Sequence, residues 1–96
     1  MPWGGSWGQN WMNRKKLLRR LAQGAVQNVG FSDFVGLVKG FGFTLARVSG
    51  SHHIFVHPRL AELINVQDVG GQAKAYQIRQ FLRLVERYDL KLEEKP

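Results

Sequence analysis

The chain contains no cysteine. That excludes a disulfide framework, a thiolate nucleophile and a Cys-ligated zinc site. It fits a reducing compartment, and a cytoplasmic location is the expectation. Acidic residues are scarce as well: 7 Asp and Glu stand against 14 Lys and Arg, a formal net charge of +7. Apolar runs extend only a few residues, so no segment spans a bilayer and no membrane partner is expected. The N-terminus lacks the charge-then-apolar order of a signal peptide, because an uncharged stretch comes first. No phosphate-binding loop, dinucleotide fingerprint or internal repeat is visible, and no cofactor is called for.

What is present fits one small domain: 96 residues with an ordinary apolar fraction of 44 %. A positive surplus of this size on so short a chain points to a polyanionic partner, nucleic acid before an acidic protein. Residues 1–12 form a compositional zone of their own, in which Trp3, Trp7 and Trp11 alternate with glycines. They read as a disordered leader, or as an aromatic segment that docks on a partner. The domain is expected over 13–96.

Asn13 is a candidate cap for a first helix carrying Leu17, Leu18 and Leu21 at helical spacing. Arg14, Lys15, Lys16, Arg19 and Arg20 give that helix a basic face, either a solvated surface or a phosphate-contacting strip. A second helix is expected after Ser32, with Asp33 in its first turn and Gly40 and Gly42 ending it. Phe43 to Val48 and His52 to His57 read as strands joined through Ser49-Gly50-Ser51 in a tight hairpin. A third strand is expected over Leu63 to Val69. The last helix, about Gln72 to Tyr88, has Ile78, Phe81, Leu82, Val85 and Tyr88 as its apolar stripe. Arg79, Arg83 and Arg87 share another face, an RNA-contact candidate. The class is therefore α+β in the order α-α-β-β-β-α. The three-stranded antiparallel sheet is covered by the second and last helices. The first helix is an addition that packs beside them or mediates a homodimer.

All three histidines fall in six residues: His52, His53 and His57. Strand alternation separates them. His52 goes with Ile54 and Val56, the face expected to meet the core. His53 goes with Phe55 and His57, the face expected to be open, where Phe55 would stack a base. At most His53 and His57 converge, and no third ligand follows, so no metal site is expected. A histidine is suited to removing the proton of a ribose 2′-OH, which then attacks the adjacent phosphate without a metal. Gly50 lets backbone approach a phosphate, Ser51 offers a hydroxyl, and a nearby Arg or Lys can neutralise the developing charge.

Gly42-Phe43, Arg47, the run Gly50-Ser51-His52-His53 with Ile54-Phe55 and His57-Pro58, and Ile78-Arg79-Gln80-Phe81-Leu82 resemble the HicA (YcfA-like) toxin family over about Phe31 to Leu90. The resemblance implies a fold like a double-stranded-RNA-binding domain and an mRNA interferase opposed by a HicB-type antitoxin in a hetero-oligomer. It implies the histidine after Gly-Ser, His52, as the catalytic residue, supported by Gly50, Ser51, His53 and Arg47. A Val-Pro-x-His segment common on the family's third strand is replaced here by Ile64-Asn65-Val66-Gln67. The general acid stays open among His53, His57 and Arg47. RNA contacts are expected at Arg14, Lys15, Arg19, Arg79, Arg83, Arg87 and Phe55. A non-catalytic RNA-binding protein of the same fold is the alternative.

Overall fold

A computed structural model describes the backbone of residues 2–93 and the side chains of residues 12–93. The elements run α1 (Pro2–Ala22), α2 (Phe31–Gly40), β1 (Thr44–Ser49), β2 (His52–Val56), β3 (Ile64–Gln67) and α3 (Ala75–Arg87). This is the α+β order expected, and α2 through α3 repeat the helix, three strands, helix layout. The expectations for Trp3, Trp7 and Trp11 fall on side chains outside the described residues. Helix α1 already runs through Asn13, so Asn13 lies inside it rather than capping it. Helix α2 likewise starts one residue before Ser32, with extended Gly30 as its N-cap and Asp33 in the first turn. It ends as expected: the Gly42 N–H donates to the Lys39 carbonyl at 2.9 Å, with Gly42 at φ +94°.

The sheet is antiparallel in the order β1-β2-β3. Its register settles which face meets the helices. Residues directly opposite each other share a face. Phe55 pairs with Ile64 and His53 with Val66, whereas Ile54 pairs with Asn65 and His52 with Gln67. Phe55, Ile64 and Val66 are buried. The expected assignment of faces is therefore reversed. His53, Phe55 and His57 point toward the helices, and His52, Ile54 and Val56 belong to the open face. The cause lies on β3: seating Ile54 and Val56 inward would carry Asn65 and Gln67 into the core with them. Burying those amides without partners costs about 1–3 kcal/mol each.

The core gathers on an aromatic cluster. Phe81 of α3 meets Phe34 and Phe41 edge-on at centroid distances of 5.3 and 5.4 Å, and Phe43 at 6.0 Å. Each such pair adds about 0.5–1.5 kcal/mol beyond its burial. Leu37, Val38 and Ile78 fill the space between, and Leu21 brings α1 into the same core. The helical layer covers β2 and β3 but stops short of β1, whose residues are all exposed. Strand β3 is shorter than expected, and Leu63 and Val69 lie outside it and exposed. Its end is tied to α3 by buried Gln77, whose Oε1 accepts the Gln67 N–H at 2.8 Å. On α3, Leu84 joins Ile78 and Phe81 in the core, Leu82 and Val85 are half-buried, and Tyr88 is exposed.

Tyr88 instead ties the end of α3 to the segment before β3. Its hydroxyl donates to the Glu62 carboxylate, 2.7 and 2.8 Å from the two oxygens, and Arg87 lies 3.4 Å away. The Tyr88 hydroxyl above all, then a backbone hydrogen bond and Arg87, hold the Glu62 carboxyl below its ordinary 4.5. The same contact holds the Tyr88 phenol above its ordinary 10.0. A carboxyl lowered by folding stabilises the fold above its ordinary value and loses that contribution as pH falls through the lowered one. The Tm of the protein should therefore fall as pH drops below 4.5, and Tyr88→Phe should fall less over the same window. Parallel melting curves for the two proteins would contradict this.

Candidate active site and RNA-contact surface

Strands β1 and β2 are joined by two residues, Gly50-Ser51, one fewer than the joint expected from sequence. Gly50 has φ +61° and Ser51 does not have a positive φ. That is the pattern of a II′ turn, which matches the twist of the paired strands. The Ser51 carbonyl faces the end of β3. That oxygen accepts the Asp68 N–H at 3.0 Å and lies 3.1 Å from His53 Nδ1. A carbonyl only accepts, so His53 Nδ1 carries the proton and Nε2 of the neutral ring is a free lone pair. The His53 ring rests against Phe31, the first residue of α2, at a centroid distance of 4.8 Å. Half-buried His53 thus has both its tautomer and its orientation fixed.

His52 lies across the strand, also half-buried but on the open face. Its Nδ1 is 3.0 Å from Asn65 Nδ2 and 3.2 Å from Asn65 Oδ1. The amide can donate or accept, so this contact suits either tautomer of His52. Arg47 pairs with Ile54 and so shares the open face with His52, one diagonal step away. The two-residue turn sets that alignment, which runs in register from Ser49–His52 through Val48–His53 to Arg47–Ile54; a ladder irregularity shifts the pairing only beyond Arg47, toward Leu45.

His57 is a packing residue. It is 8 % exposed, its ring stands edge-on to Phe43 at 5.0 Å, and its Nδ1 accepts the Arg59 N–H at 3.1 Å. It closes the turn at Pro58, well away from the hairpin tip. Phe55 is 1 % exposed. The expectation that it stacks a base is corrected: its face packs on the helices. Among the described residues, no three His, Asp or Glu side chains gather as metal ligands.

The helix cations divide by role. Arg14 is half-buried and lies across α2, where a Cβ at Gly40 would sit 3.1 Å from its Cδ and one at Gly36 3.7 Å from its Nε. Arg20 donates to the Gln27 carbonyl at 2.6 Å. Lys15 and Arg19 are exposed on α1; Arg79, Arg83 and Arg87 are exposed on α3, Arg87 beside Glu62. Arg79 also lines a groove of about 470 Å³ between α1 and α3, with Leu18 and Leu82. Sequence reasoning passed over Asn65 and Phe31, the contacts of the two histidines. Asn65 was within reach of it, since alternation on β3 sets Asn65 and Gln67 on one face.

The sequence profile of the family described as HicA toxin of bacterial toxin-antitoxin matches residues 31–86. The chain belongs to the HicA toxin family. No curated protein and no solved structure matches it. The HicA segment begins on the first residue of α2 and ends within the last turn of α3, so α1 lies outside it. Membership makes the chain the toxin half of a toxin–antitoxin system, whose other half is an antitoxin. Among the described residues no helix is long and apolar enough to cross a membrane.

The fit around His57 depends on Gly42, which lies inside this HicA segment. A Cβ there would come 3.1 Å from His57 Nε2, at a φ that L side chains rarely adopt. Gly42→Ala should destabilise the fold by about 1–3 kcal/mol, read as a lower urea midpoint. An unchanged midpoint would show that the His57 corner is loosely packed.

Proposed function

We propose that this HicA toxin is a cytoplasmic mRNA interferase of a type II system, that it cleaves RNA with a histidine of the hairpin, and that a HicB-type antitoxin covers that site. The nucleophile is the RNA's own 2′-OH. As the histidine takes its proton, the oxygen attacks the adjacent phosphorus and the P–O5′ bond breaks. The products are a 2′,3′-cyclic phosphate and a 5′-hydroxyl, the latter completed by a proton from a general acid. The reaction needs an unprotonated ring nitrogen in reach of the ribose.

The observation that carries this reading is the Ser51 carbonyl 3.1 Å from His53 Nδ1. It commits His53 Nε2 to accepting a proton. His52 is the second reading, the one implied by the family resemblance. Arg47 favours it, because it shares the open face and can neutralise the charge that builds on the phosphate. His52 and His53 point to opposite faces of β2, so one scissile phosphate meets only one of them. Arg79, Arg83 and Arg87, with Arg19 and Lys15 of α1, supply phosphate contacts away from the cut.

Single-turnover cleavage of an end-labelled mRNA separates these readings. His53→Ala should lose about 10²–10⁴-fold in rate with RNA affinity kept, while His52→Ala stays close to the wild type. The opposite pattern assigns the base to His52. Wild-type protein that binds RNA but neither cleaves it nor arrests growth on induction would leave a non-catalytic RNA-binding protein.

A further inference from the structure

Helices α1 and α2 enclose a cleft of about 590 Å³ on the surface. Helix α1 lies outside the HicA segment, so this cleft is an addition to the family's core. Its rim carries Arg14, Lys16 and Arg20 from α1 and Lys39 from α2, and among the described residues Asp33 is the one acidic lining residue. Asp33 is in the first turn of α2 and Lys39 in the last. Arg14 crosses α2 at Gly36 and Gly40, so the end of the cleft near Lys39 is cationic. Half-buried Leu17 and Val35 line the cleft between the charged residues.

We infer that this cleft holds one nucleotide unit of the RNA outside the cleavage site, its phosphate on Lys16, Lys39 and Arg14 and its base over Leu17 and Val35. The inference rests on the RNA-cleaving reading above and adds a second contact to it. A carboxylate side chain would satisfy the cations but leave the apolar floor between them uncovered. A nucleotide has both parts, a charged phosphate and a flat apolar base face. The site is also partly pre-ordered. Packing on α2 holds Arg14, and the Gln27 carbonyl holds Arg20, so these two side chains lose little freedom on binding. Lys16 and Lys39 are exposed and do not serve the core.

The test uses the full chain and a single-stranded RNA with every ribose 2′-O-methylated, which binds but supplies no nucleophile. Affinity is measured over a range of salt concentrations. Each phosphate that the protein no longer neutralises should reduce the slope of log K against log salt by about 0.7. The double variant Lys16→Gln/Lys39→Gln should therefore show a slope shallower by about 0.7, with an unchanged Tm. Its cleavage rate on a dinucleotide should match the wild type, while KM for a longer RNA rises. A wild-type slope in the variant overturns the inference, and does so equally if the variant instead loses its antitoxin. A wild type whose affinity ignores salt overturns the RNA reading itself, and this inference with it.

Discussion

The seating of Phe55 decides how the hairpin is presented. Strand side chains alternate, so whichever face Phe55 takes, His53 and His57 follow and His52 takes the other. Phe55, Ile64 and Val66 are all at most 1 % exposed. Burying side chains of this kind stabilises by about 1.5–3 kcal/mol each. The opposite seating would exchange them for Ile54 and Val56 and bury Asn65 and Gln67. A shift of one residue in register is thereby disfavoured by several interactions at once, and the histidines are held on their faces by core packing rather than by their own bonds.

From that seating the hairpin chemistry follows. With His53 turned toward the helices, its ring meets Phe31 at the start of α2, and the II′ turn brings the Ser51 carbonyl to Nδ1. The same glycine-led turn sends His52 to the open face beside Asn65 and within a diagonal of Arg47. One four-residue motif thus produces two histidine environments: one with a fixed tautomer in a partly apolar niche, the other adaptable on a polar sheet face. His57 has a third role, holding the Pro58 corner against Phe43 and Gly42.

Most of the architecture was legible because it is local. Gly40 and Gly42 mark the end of α2, Gly50 marks the hairpin, and the spacing of Ile78 and Phe81 marks α3. The faces of β2 were misread because Ile54 and Val56 look more apolar than a face with two histidines. The correction lay on β3, where Ile64 and Val66 alternate with Asn65 and Gln67; register across strands outweighs the composition of one strand. The arginines were hard to sort for a related reason. Arg14 and Arg19 look alike in a basic run, yet one packs on Gly36 and Gly40 and the other is exposed. The Ser51–His53 contact depends on a turn type that composition narrows but does not fix.

Proton removal by His53 depends on the protonation pattern of the hairpin, and ring-nitrogen NMR at a pH where the histidines are neutral reads it directly. His53 should show its proton on Nδ1, because the Ser51 carbonyl can only accept. His57 should show the opposite tautomer, because its Nδ1 accepts the Arg59 N–H. A His53 ring with its proton on Nε2 would contradict the account, since the nitrogen assigned as base would then already be occupied.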